Sequence, residues 1–420
     1  MSNVFADASA QSSNPPSQLV SKLPDVGTTI FTVMSQMAVD HNAINLGQGF
    51  PDFNPDERLV NAVTTAMKEG HNQYPPMAGI LPLREQIATK INTLYGHAYD
   101  PATEITVTSG ASEALISSIM ALVNPGDEVI VIEPFYDLYI PSIQLAGGMP
   151  VVVPMVAPNL GDRSEPQQTP LQTTENSNRF YIDWDRVRRA ITANTRMIIL
   201  NFPHNPTGVN LRDSDLDALE KIVEDTGIFV LSDEVYEHIV FRGQKHASLC
   251  SRPGLAEKSI VISSFGKTYH VTGWKVGYCC APQQIMAEIR KVHQFMVFTV
   301  SSPMQFALAE FMADPSPYMQ LASFYEKKHD RLFQGLKQTK IIPLASEGTF
   351  FLLAQYGHLS KMNEADYAKW LTTEIGVAVI PVSAFYQNPD APSANHGLIR
   401  FCFAKQDDTL DEAIERLKKL

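Results

Sequence analysis

The sequence predicts an α/β fold: a large domain with a mostly parallel sheet between helices, plus a smaller α+β domain. Two observations carry this. From about Glu104 to Pro282, short apolar, β-branched runs alternate with helical patterns, as in βαβ units around a buried sheet. Beyond "PQQIMAEIRKVHQFMVF" the chain turns mostly helical, with "GTFFLLA" and "LIRFCFA" as further strand-like runs. A length of 420 residues also exceeds that of one ordinary domain. The expected divisions are a flexible arm over 1–19, an N-terminal segment of the small domain over 20–50, the large domain over 51–299 and the rest of the small domain over 300–420.

The opening "MSNVFADASAQSSNPPSQLV" is polar and rich in Ser, Pro and Asn, which suits a flexible arm. It has neither the cationic nor the apolar region of a secretory signal. "SKLPDVGTTIFTVMSQMAVDH" predicts an irregular entry and then a helix, followed by a Gly/Pro/Asp-rich loop, "AINLGQGFPDFNPDE". "EITVTSG" predicts a strand, "ASEALISSIMALV" a helix, "NPGD" a turn, "EVIVIEP" a strand and "YDLYIPSIQLAG" a helix. Polar residues from Ala157 to Arg179 predict a mobile surface excursion. The strand "RMIILNFP", the helix "DSDLDALEKIVEDTG" and the strands "IFVLSDE", "SIVISSF" and "KVGYCCAP" complete the alternation.

Composition narrows the function. Lys plus Arg number 33 against 45 Asp plus Glu, a net charge of −12, so no basic field points to nucleic acid or an anionic membrane. No apolar run is long enough to span a bilayer. Cys250, Cys279, Cys280 and Cys402 are scattered, without the spacing of a zinc site or a disulfide framework, and read as buried free thiols. A cytoplasmic protein without a metal is expected.

Four stretches carry candidate chemistry. "NFPHNPTG" puts Asn201 and Asn205 at the carboxyl end of a strand, where open α/β sheets bind ligands; the same residues also make good turn and cap chemistry. "FVLSDEVY" ends a strand with Asp233, and a buried carboxylate there needs a partner, either a structural arginine or a protonated ligand nitrogen. "TSGASEAL" opens a helix with small residues, so its free N–H groups at Ala111 and Ser112 form a weak anion signal. "SSFGKTYHVTGWKVGY" holds Lys267 and Lys275 among glycines, hydroxyls and aromatics, with no acidic neighbour inside the stretch. Two surface lysines are the bland alternative. A desolvated lysine beside a second cation instead has a lowered pKa and becomes a nucleophile toward carbonyls.

In this order, the four stretches resemble the pyridoxal-phosphate-dependent aminotransferases of class I/II, with the type I fold. The resemblance runs from "INLGQGFPDF" to "LIRFCFAK". More narrowly, "LGQGFPDF", "NQYPP", "EPFYDLY", "NFPHNPTG" and "FGKTYHVTGWKVGY" are similar to the kynurenine aminotransferase and glutamine transaminase K group, and "GTTIFTVMS" to its bacterial methionine aminotransferase branch. Thr299 departs from the histidine that mammalian members carry near the substrate.

The resemblance implies pyridoxal 5′-phosphate as cofactor, held in the large domain, and a homodimer. Lys267 would bond covalently to the cofactor aldehyde, and Lys275, Ser264 and the N–H groups at Ala111 and Ser112 would hold its phosphate. Asp233 would pair with the pyridine nitrogen, Tyr236 and Asn205 with the phenolic oxygen, and Tyr136 would stack on the ring. Tyr74 would reach the phosphate of a neighbouring subunit. Arg400, aided by Asn201 and the backbone at Gly47, would grip the substrate α-carboxylate. Ping-pong transamination between an amino acid and a 2-oxo acid follows, with cysteine-conjugate β-lyase chemistry as the alternative on the same residues. No second arginine stands in a matching motif, and Gly27–Phe31, Tyr136 and Met296–Thr299 offer apolar or aromatic walls. Methionine is therefore the expected leading donor, with aromatic amino acids, glutamine or kynurenine behind it.

Overall fold

The computed structural model describes residues 19–160 and 179–420. The expected arm, Leu19 apart, and most of the expected excursion from Ala157 to Arg179 lie outside the described residues.

The entry helix α1 (Ile30–Asp40) is capped by the Thr29 hydroxyl, which accepts from the Thr32 N–H at 3.3 Å. It leads to β1 (Ile44–Asn45). Two helices come next, α2 (Glu57–Lys68) and α3 (Leu81–Tyr95). Seven strands then build the main sheet: β2 (Ile105–Thr108), β3 (Glu128–Glu133), β4 (Met149–Pro154), β5 (Thr195–Asn201), β6 (Phe229–Asp233), β7 (Ser259–Ser264) and β8 (Gly277–Cys280). Their order is β2-β8-β7-β6-β5-β3-β4, with β3 to β7 all parallel and β8 antiparallel to both β7 and β2.

Helices cover both faces, so the strands are apolar on both sides. Ile130, Ile132, Ile198, Leu200 and Val230 join the core on one face, which also takes in residues of α2, α3 and the helices Asp213–Thr226 and Ser302–Met312. Their alternating neighbours Val129, Val131, Met197, Ile199 and Leu231 join the core on the other, beneath α4 (Gly110–Leu122), α5 (Tyr139–Leu145) and the helix Gln283–Met296.

A second, antiparallel sheet of order β12-β13-β10-β9 comes from β9 (Ile342–Pro343), β10 (Phe351–Gln355), β12 (Ile380–Pro381) and β13 (Leu398–Cys402). The short β11 (Val377–Ala378) pairs in parallel with β1, so residues from both ends of the chain share one aromatic core around Tyr325, Phe350 and Phe403.

The sequence reading omits β4, whose two prolines disguise it, and the helices α2 and α3. It also overextends α5, which starts three residues after Tyr136 because Tyr136–Leu138 form a turn.

Candidate active site

The register of the parallel strands sets Asn201 beside Asp233, and Asp233 beside Ile262, so β5 and β6 end on one level and β7 runs two residues further, to Ser264. Their carboxyl ends, the start of α4 and the middle of β13 border a cavity of about 340 Å³. Asp233 is buried there. The Tyr139 hydroxyl donates to its Oδ2 at 2.7 Å and the Val235 N–H to Oδ1 at 3.4 Å. Among the described residues no cation pairs with it, and burial pushes its carboxyl up to about 6.

Lys267 lies in the one-turn helix Phe265–Thr268 that follows β7. Gly266 permits this turn, since a Cβ there would stand 2.9 Å from the Thr272 Cα. The lysine Nζ donates to the Gly49 carbonyl at 3.0 Å and sits over the rings of Tyr236 and Phe350. Burial, with the positive charges of Arg400 and Lys275 nearby, brings the amine down to about 8 despite Asp233.

The third group is built for an anion. Lys275 adopts the left-handed conformation (φ 54°), and its Nζ donates to the Ser112 Oγ at 3.2 Å. Gly110 opens α4 at φ 70°, and Gly277 lies so close that a Cβ there would stand 2.9 Å from the Ala111 nitrogen. Helix N–H groups, two hydroxyls (Ser112 and Ser264) and one ammonium thus line the same stretch of wall.

Across the cavity, Arg400 is buried on β13. Its Nη1 donates to the Asn205 Oδ1 at 2.6 Å and its Nη2 to the Gly47 carbonyl at 2.9 Å, while Nε has no partner among the described residues. Phe351, Phe385 and Phe31 surround the guanidinium, with ring centroids 3.8, 4.8 and 5.4 Å from Cζ. Burial lowers its pKa to about 10, which leaves it cationic at neutral pH and in want of a carboxylate.

A lysine of lowered pKa, a buried carboxylate, a helix start beside hydroxyls and an ammonium, and a buried arginine surround one cavity, a set that suits the transfer chemistry of amines. The family model for aminotransferase class I and II matches residues 41–417. The chain belongs to that family.

This aminotransferase is 46% identical to the methionine aminotransferase of Escherichia coli over 95% of this chain and 98% of that protein. It is 36% identical to a kynurenine–oxoglutarate transaminase of Dictyostelium discoideum, over 94% of each chain. The solved structure of YbdL from Escherichia coli, reported with a methionine aminotransferase function, superposes with a TM-score of 0.89 at 46% identity, covering 96% of this chain and 100% of that one. That of an N-succinyldiaminopimelate aminotransferase from Mycobacterium tuberculosis has a TM-score of 0.87 at 39% identity, covering 96% and 100%. The architecture is therefore the type I fold of these enzymes.

Within the aminotransferase, Ala111, Ser112, Tyr136, Asn201, Asn205, Asp233, Tyr236, Ser264, Lys267, Lys275 and Arg400 all line the one cavity. Gly47 reaches it through its carbonyl on Arg400. Tyr74 does not line it: 83% exposed, it packs edge-on against Phe298. Of the expected apolar walls, Phe31 and Tyr136 line the cavity and Met296–Thr299 do not. Asn201 already uses both ends of its amide, accepting from the Asn205 N–H and donating to the Asp233 carbonyl, each at 3.0 Å. Because the Asn205 Oδ1 accepts from Arg400, its amide N–H is what it can offer a ligand.

Sequence reading missed the Tyr139 partner of Asp233, the Gly49 acceptor of Lys267, and the Phe351 and Phe385 walls of Arg400. The motifs "EPFYDLY" and "GQG" contain the first two. Nothing local marks the phenylalanines, since only the folded chain brings them to Arg400.

Among the described residues, no helix is long and apolar enough to cross a membrane, and no group of His, Cys, Asp or Glu is arranged to hold a metal.

Proposed function

We propose that this aminotransferase uses pyridoxal phosphate to move the amino group of a neutral amino acid, methionine foremost, to a 2-oxo acid. One observation carries the substrate reading. Three cations line the cavity among the described residues, and each has a place: Lys267 on the Gly49 carbonyl, Lys275 in the anion cradle and Arg400 with an unpartnered Nε. No fourth remains for a side-chain carboxylate, whose burial uncompensated costs several kcal/mol. A methionine side chain against Phe31 and Tyr136 gains roughly 1.5–3 kcal/mol from burial. The E. coli relative's reported methionine activity supports the same choice.

The residues fit the cofactor. Lys275, Ser264, Ser112 and the N–H groups at Ala111 and Ser112 would hold its phosphate, Asp233 its pyridine nitrogen, Tyr236 and Asn205 its phenolic oxygen, and Tyr136 would stack on its ring. The buried Asp233 without a cation and the glycine-lined start of α4 are what such a ligand would complete. When bound, pyridoxal phosphate supplies an aldehyde for an amine and a ring that accepts electrons. Arg400 orients the donor by its α-carboxylate. The Lys267 Nζ, lowered to about 8, would take the proton from the donor Cα, and in the second half of the reaction would deliver a proton to the Cα of the amino acid formed from the acceptor. The first 2-oxo acid leaves before the second binds, giving ping-pong kinetics.

A second copy of the chain is part of the proposal. Tyr74, Phe295 and Phe298 are 83%, 87% and 42% exposed on one stretch of surface, and a homodimer would cover them. The expected two-domain division is proposed with one change: Ser302–Met312, packed on α2 and α3, moves with the large domain of 51–299.

A panel of amino donors against several 2-oxo acids tests the substrate assignment. Methionine is expected to lead, phenylalanine, glutamine and kynurenine to follow, and aspartate and glutamate to trail by orders of magnitude in kcat/KM. Aspartate outrunning methionine and phenylalanine would contradict it.

A further inference from the structure

Behind the loop that carries Asp233 and Tyr236 lies a second polar cluster, and none of its members lines the cavity. Glu237 is its centre. Its Oε1 accepts from the Lys90 Nζ at 2.6 Å, the Ser263 Oγ at 2.5 Å and the Tyr278 hydroxyl at 3.0 Å. Its Oε2 accepts from the Tyr95 hydroxyl at 2.8 Å. The Lys90 Nζ also donates to the Tyr278 oxygen at 2.5 Å and lies 3.3 Å from the His238 Nε2. Side-chain exposures of 5% for Lys90 and 3% for Glu237 make this a buried ion pair. Burial pushes the Glu237 carboxyl up, but Lys90 and the hydrogen bonds outweigh it and hold the group well below the usual carboxylate range. His238 is kept neutral by burial, its pKa near 3.

The donors fall where the site needs support. Glu237 directly follows Tyr236, Ser263 directly precedes Ser264 on the strand leading to Lys267, and Tyr278 lies on β8, three residues after Lys275. One carboxylate, carried by the segment of Asp233 and Tyr236, therefore bonds to the two segments that present Ser264 with Lys267 and Lys275. Lys90 and Tyr95 come from α3, which contributes no residue to the cavity.

We propose that Glu237 is a positioning residue for transamination: through Ser263 and Tyr278 it holds the segments bearing Asp233 and Tyr236, Ser264 and Lys267, and Lys275 at a fixed mutual spacing. The inference rests on the reading of the site given above. A buried ion pair is weak support for stability in itself, because desolvation offsets its attraction. Its value here lies in where its hydrogen bonds run. Reacting groups displaced by as little as an ångström lose rate out of proportion to any change in stability.

Three single-hydroxyl deletions separate positioning from mere packing, since each removes one hydrogen bond to the same carboxylate, and Tyr278→Phe also the one its oxygen accepts from Lys90. Ser263→Ala, Tyr278→Phe and Tyr95→Phe are made in the pyridoxal-phosphate-loaded enzyme. Each is measured for kcat, for KM with methionine, for melting temperature and for the pH midpoint of its visible absorbance. Ser263→Ala and Tyr278→Phe are expected to lower kcat by about tenfold to a hundredfold, with KM little changed and the absorbance midpoint shifted. Tyr95→Phe is expected to lower the melting temperature while leaving kcat and the midpoint as in the wild type. Equal effects of all three on kcat, or effects on melting alone, would overturn the proposal. A loaded wild-type protein with no visible band would overturn the reading of the site, and this inference with it.

Discussion

The loop from Asp233 to Glu237 has two sides that treat their carboxylates differently. On the cavity side, Asp233 has a tyrosine hydroxyl and one long backbone contact, and no cation pairs with it among the described residues. On the far side, Glu237 accepts four hydrogen bonds, and Glu234 accepts from the Ser232 Oγ at 2.8 Å and the Leu249 N–H at 3.1 Å while meeting the His246 Nε2 at 2.7 Å. Both sides are buried, so solvent does not explain the contrast. Buried carboxylates are normally satisfied by their own protein. An incompletely partnered one is tolerated where a ligand completes it, and the same holds for the Arg400 Nε across the cavity. The loop divides into a face that waits for chemistry and a face that holds the first in place.

Substitutions on the two faces should therefore differ in kind. The largest effect is expected from Lys267→Ala, which should abolish transamination, because it removes both the covalent anchor and the base, and leave the fold and some non-covalent cofactor binding intact. Steady-state assay beside circular dichroism checks this. Asp233→Asn, nearly isosteric, should lower kcat by orders of magnitude with the melting temperature held or raised. Turnover near that of the wild type would make Asp233 a structural carboxylate. Glu237→Gln should do the reverse in stability: breaking a buried pair leaves the Lys90 charge uncompensated, at a cost of about 3–5 kcal/mol, visible as a large fall in melting temperature.

The smallest effect concerns pH. Burial raises the Asp233 carboxyl from 3.8 to about 6 in the folded, cofactor-free chain. A group whose folded pKa is raised contributes stability that is fully present below its unfolded value and is lost as pH rises through the folded one. The melting temperature of the cofactor-free protein should therefore fall, relative to Asp233→Asn, between about pH 4 and pH 6. A difference between the two proteins that stays constant across that window would break the comparison of the two faces.

How much of this was legible in the sequence follows from where each signal lies. β5, β6 and β7 are continuous apolar runs that end in Asn201, Asp233 and Ser264, so both the parallel sheet and the level of the site could be read in one dimension. β4 could not, because Pro150 and Pro154 break the pattern of a strand that sits at the edge of the sheet, where missing N–H donors are tolerated. The aromatic wall of Arg400 was hidden for another reason. Phe31, Phe351 and Phe385 come from a helix, a strand and a turn that meet only after β13 pairs with β10 and β12. Glu237 was hidden too: inside "DEVYEHIVF" it looks like any acidic loop residue until Lys90 arrives from α3.

In the proposed mechanism Lys267, and not Lys275, is the reactive amine of the site. Loading the protein with pyridoxal phosphate, reducing it with borohydride and mapping the modified peptide tests this directly. A visible band that borohydride removes and an adduct on Lys267 are expected; an adduct on Lys275, or a band untouched by borohydride, would rule out Lys267 as that amine.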